Sequence, residues 1–125
     1  QYVALDPKHP TWIGGFMGFE KGKPAPAEPQ VSSALYADGL VGACRAARQV
    51  KDAQRYQGYG LAAQNCLQFL TTLQFNEANT SHFVDGYKLV LLGGFHASPQ
   101  DGNVRIDYTY PAVNALVQFL TYLTE

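Results

Sequence analysis

Six residues between His96 and Tyr110 carry most of the reactive chemistry in this sequence: His96, Asp101, Arg105, Asp107, Tyr108 and Tyr110. Arg105 and Asp107 stand two apart, so in an extended segment their side chains point the same way. That spacing allows an ion pair. It also allows a donor fork and a carboxylate to face one ligand, with Asp107 as acid–base residue and Arg105, Tyr108 and His96 holding the ligand. The same residues could instead brace a loop onto the next helix, with Asp107 close enough to its start to cap it or favour its dipole.

A second set is Trp12, Phe16, Tyr36 and Asp38. Asp38 sits among apolar neighbours, between Leu35 and Leu40, and is the second candidate acid–base residue. Trp12 and Tyr36 are candidate stacking platforms. Aromatic rings interleaved with Asp, Arg and Asn suit a sugar, whose apolar face stacks while its hydroxyls are held by polar forks. Against that, aromatic side chains at glycine-rich turns can simply plug helix ends.

Other chemistry finds no support. The histidines His9, His82 and His96 are not spaced as metal-ligand pairs, so no metal or cofactor is expected. There is no phosphate-binding glycine loop, nucleophile elbow or metalloprotease motif. Cys44 and Cys66 lack metal or redox spacing and read as small core side chains. A net charge of −1 gives no electrostatic footprint for nucleic acid or an anionic membrane. The basic group Arg45, Arg48, Lys51 and Arg55 reads as a solvated face near a helix end. The longest apolar run, Leu89 to Leu92, is too short to span a bilayer.

The elements that position these residues are mostly helical. At 46% hydrophobic and 15% charged, the composition is that of a folded chain. The segment from Lys21 to Gln30 holds three prolines and reads as an extended connector. A first helix is predicted from Ser33 to Val50, capped by Ser32 or Ser33. Its stripe Leu35, Gly39, Gly42, Ala46 and Val50 is built of small residues, which predicts close packing on a second helix, Tyr59–Gln74. The connection between the two is short, so they should be antiparallel. Residues 76–92 fit either a short helix or an extended segment. A third helix should begin at Pro111, since proline suits a first helical position. Its expected buried stripe is Val113, Leu116, Val117, Leu120 and Leu123.

The motif Gly-Gly-Phe occurs twice, at Gly14–Phe16 and Gly93–Phe95, each followed by a loop and a helix. Laying residues 37–41 on 113–117 makes the two loops differ by three residues and pairs Asp38 with Asn114. Such self-similarity marks a helical-hairpin repeat, and both glycine turns should then lie at one end of the array.

The string "GGF…SP…YTYPAVNALVQFL" resembles the repeat of the α/α-toroid superfamily, which includes protein prenyltransferase β subunits and squalene cyclases. More loosely it is similar to (α/α)6-barrel sugar epimerases and polysaccharide lyases. The prenyltransferase zinc set of Asp, Cys and His cannot be placed here, and the acidic cyclase motif is absent, so the resemblance implies a fold rather than an activity. It implies a mainly α chain of antiparallel helical hairpins of α/α-toroid type, with glycine-rich loops between helices. Three helices cannot close a ring. Together with a first residue, Gln1, that is not Met, this leads us to expect one helical domain over 1–125, the C-terminal piece of a longer chain, forming a partial toroid. The leading functional expectation is binding or processing of a carbohydrate or similar polyhydroxylated substrate. The alternatives are a non-catalytic module binding a partner protein and an isoprenoid-handling toroid fragment. Expected partners are a sugar-like ligand and the rest of a larger chain or a homo-oligomer. The compartment is left open.

Overall fold

Helices α1 (Ser33–Gln49) and α2 (Ala53–Thr72) are joined by only three residues, Val50, Lys51 and Asp52. The turn is tight because Lys51 takes a positive φ of 58° and the Asp52 side chain accepts from the Arg55 N–H, capping α2. The structure, a computed structural model, describes residues 7–24 and 27–123. Ala25 and Pro26 of the proline-rich connector lie outside them. The Cys44 thiol donates to the Tyr56 carbonyl and the Cys66 thiol to the Ser33 carbonyl. As numbers rise on α1 they fall on α2, so the pair is antiparallel. Both cysteines are free and buried.

Beyond α2 come the short α3 (Asp85–Leu91), a hairpin of β3 (His96–Ser98) and β4 (Asp101–Val104), and α4 (Ile106–Tyr122). Upstream, β1 (Phe19–Glu20) and β2 (Lys23–Pro24) form a second small antiparallel hairpin. It turns through Lys21 and Gly22, both at positive φ. The described residues are thus mainly helical, and none of their helices is long and apolar enough to cross a membrane.

Helix α4 lies beside α1 and runs parallel to it: Asn114 meets Asp38, Gln118 meets Arg45, and the Tyr122 carbonyl meets Arg48. The basic group is therefore more than a solvated face, because Arg45 and Arg48 fasten α4 to α1. The core between the helices is built from Ala34, Ala37, Ala112 and Ala115, all fully buried, around Phe69, Leu70, Leu73 and Phe95. Alanines here let the helix backbones approach closely.

Four expectations are corrected. Helix α2 begins at Ala53, well before Tyr59: Gly58 and Gly60 are inside it, and Gly60 lies against the Cys44 sulfur. Helix α4 begins at Ile106, so Pro111 falls within it and cannot donate to the Asp107 carbonyl. Pro111 and its neighbour Ala112 are buried, and that packing offsets the lost bond. The core side of α4 is its alanine side, while Val113, Val117 and Leu120 stand exposed at 45%, 56% and 64%. Finally, Gly39 and Gly42 do not meet α2, and Ala46 only borders an open groove that it shares with Arg55 and Tyr59 of α2. All three are exposed, and a Cβ on either glycine would touch nothing.

The two Gly-Gly-Phe turns do share an end. Gly14 and Gly93 have φ of 93° and 87°. Gly15 abuts Phe69 near the C-terminal end of α2, and the Gly93 N–H donates to Phe75 just past it. Matched by burial instead, Ala34, Ala37 and Val41 fall on Ala112, Ala115 and Phe119. The spacings from glycine turn to helix then differ by one residue instead of three. Asp38 and Asn114 are contact partners rather than equivalents.

Candidate binding site

The line where α1 and α4 meet carries a row of polar side chains. Asn114 Nδ2 donates to Asp38 Oδ1 at 2.7 Å, and Arg45 donates to Gln118 Oε1 at 2.6 Å. The Arg45 guanidinium also lies 4.0 Å from the centre of the Tyr122 ring. Asp38, Val41, Gly42, Arg45, Asn114 and Gln118 line an open groove of about 210 Å³ along this seam. Asp38 Oδ2, Asn114 Oδ1 and Gln118 Nε2 hydrogen-bond to nothing among the described residues, so acceptors and a donor remain available.

The groove lies between two outer rows. At about 100° per residue, α1 turns Ala37, Cys44 and Ala47 inward, Asp38 and Arg45 towards α4, and Leu35, Gly39, Gly42 and Ala46 outward. On α4, Ala112 and Ala115 face the core, Asn114 and Gln118 face α1, and Ile106, Tyr110, Val113 and Val117 face outward. Because the helices are parallel, both outward rows lie on one side of the pair, away from α2. The face has three tracks: small residues on α1, the polar seam, and large apolar residues on α4.

The loop set has a different character. Arg105 is the residue before α4, and Asp107 lies in its first turn, so they are not neighbours on an extended strand. Arg105 Nε and Nη2 donate to the two Asp107 oxygens at 3.0 and 2.7 Å. Its guanidinium also lies 4.9 Å from the Tyr108 ring centre. The hydrogen bond from Arg105 holds the Asp107 carboxyl below its ordinary range, and the same bond raises Arg105. With both oxygens engaged at the start of a helix, Asp107 is well placed as a brace. Tyr108 packs on the core, whereas Ile106 is 82% exposed.

The remaining candidates are dispersed. His96 sits in β3 with Nδ1 2.7 Å from the Ser98 carbonyl, its ring against Phe75. Trp12 stacks on His9, and Tyr36 on Phe16, with ring centres 3.9 and 4.7 Å apart. Asp38 and Asp107 each have their own partner and do not pair with one another.

Asp38 and Asn114 stand out in the sequence, whereas Arg45 and Gln118 join the seam only in the fold. The signal was present: Arg45 stands two turns after Asp38, and Gln118 one turn after Asn114. Neither a protein-family model, nor a curated protein, nor a solved structure matches the chain.

Proposed function

We propose that this chain is a non-catalytic helical-repeat module whose outer α1–α4 face docks a helix of a protein partner. The observation that carries this is the apolar row on α4, Tyr110, Val113 and Val117, exposed at 74%, 45% and 56%. Fully covering a side chain of this size is worth about 1.5–3 kcal/mol, and contiguous exposed apolar surface marks interaction sites. Two parallel helices with an antiparallel helix behind them, and both glycine turns at one end, also support an α/α-hairpin repeat of the toroid kind. The test is a hydrophobic dye. At concentrations low enough that copies do not associate, native chain should enhance its emission, and Val117→Glu should remove that enhancement while the helical circular dichroism stays unchanged. Unchanged emission, or a variant that unfolds, would refute the exposed docking face.

A second reading places a sugar or other polyhydroxylated ligand in the seam. The free hydrogen-bonding atoms of Asp38, Asn114 and Gln118 favour it. These side chains would hold hydroxyl groups while the flanking apolar rows cover the ring. A calorimetric titration with mono- and oligosaccharides should then show saturable heat that Gln118→Ala removes. Absence of heat across the panel would eliminate this reading.

A further inference from the structure

We propose that the occupant of the α1–α4 face is a second copy of this chain, packed face to face about a two-fold axis along the seam. The inference rests on that face being a docking surface. A two-fold contact needs a surface that complements itself, and this one does. Laid on each other by burial, the helices place Gly39 and Gly42 of α1 at the positions of Val117 and Leu120 of α4. One helix thus presents a shallow track where its parallel neighbour presents large side chains. An axis along the seam sets α1 of each copy over α4 of the other. Val113 and Val117 of one copy then enter the track of Gly39, Gly42 and Ala46 on its partner, and the same contact forms a second time.

Two further observations agree. Glycines within a helix weaken it relative to alanine, yet no contact inside the chain requires Gly39 or Gly42, since a Cβ on either would meet nothing within 4 Å. A helix arriving from outside would need their missing side chains. The seam also leaves Asp38 Oδ2, Asn114 Oδ1 and Gln118 Nε2 without partners among the described residues, where a copy would meet them. The free Asp38 Oδ2 of each copy faces the partner's Asn114 at the same height along the helices.

Sedimentation velocity over a dilution series of the chain tests this. The expected result is a monomer–dimer equilibrium that Val117→Glu and Gly42→Leu each abolish, with helical content unchanged. Leu89→Glu, on the exposed side of α3, should leave the equilibrium intact. A dimer insensitive to both face variants, or one abolished by Leu89→Glu, overturns the proposal. So does a monomer at every concentration. If that monomer still shows dye emission that Val117→Glu removes, the docking face survives and only the second copy is refuted.

Discussion

Gly42→Ala should stabilise this chain. The residue lies in the interior of α1, two turns from either end, and is exposed. Its φ is not in the left-handed region, and an added Cβ has no neighbour within 4 Å. The substitution therefore incurs no steric cost and recovers the helix penalty of glycine, about 1 kcal/mol. For a domain of this size that is a rise in Tm of about 3–5 °C. Gly39→Ala should add a similar amount, because the same conditions hold there. The assay is thermal unfolding followed by circular dichroism, at concentrations low enough that copies do not associate. The reasoning fails if Gly42→Ala leaves Tm unchanged or lowers it. Either result would mean that this track is already filled within the chain and that α1 presents a different face outward.

Gly14→Ala should do the opposite and destabilise the fold by about 2 kcal/mol or more. Its φ is positive, and the new Cβ would collide with the Asn65 carbonyl oxygen, which denaturant titration would read as a lower midpoint. Burial pushes the Cys66 thiol up to about 12. The folded state therefore holds that proton more tightly than the unfolded chain, and the resulting stability is present below the ordinary thiol range and lost as pH rises towards 12. Stability measured from pH 8 upward should fall more steeply in the wild type than in Cys66→Ala. Asp107→Asn should weaken the start of α4 slightly at neutral pH. The hydrogen bond from Arg105 lowers the Asp107 pKa, so its contribution is present at neutral pH and is lost as acid protonates the Asp107 carboxylate, where the difference from wild type should vanish. A difference that persists at acid pH would contradict the assignment of Asp107 as a brace.

The hairpin of α1 and α2 was legible because local signals agreed, but its second helix starts at Ala53, before the expected Tyr59, and runs through Gly58 and Gly60. The better signal was Asp52, three residues before Arg55, in the position of a helix cap. For α4, Pro111 drew the predicted start five residues late: proline favours the first turn, and only tertiary burial shows that this one sits deeper. The rotation of α4 was misread for a related reason. Val113, Val117 and Leu120 are the more hydrophobic side chains, so periodicity assigned them to the core. In the fold, close helix approach selects by size, and Ala112 and Ala115 win against Ala34 and Ala37. The same selection hid the site. Asp38 and Asn114 could be singled out from sequence, but their contact, and the Arg45–Gln118 contact beside it, require α1 and α4 to lie parallel. Nothing in either helix alone encodes that. The spacing of Arg105 and Asp107 allowed an ion pair among other readings, and the pair forms as a clamp across a helix start and not along a strand.

Methyl-resolved NMR of the chain from low micromolar to submillimolar concentration tests the central claim most directly. The methyl resonances of Val113 and Val117 should shift with concentration, while those of the buried Val31 and Val41 remain fixed. Concentration-independent resonances at Val113 and Val117, or shifts confined to the exposed α3 residues Leu89 and Val90, would contradict it.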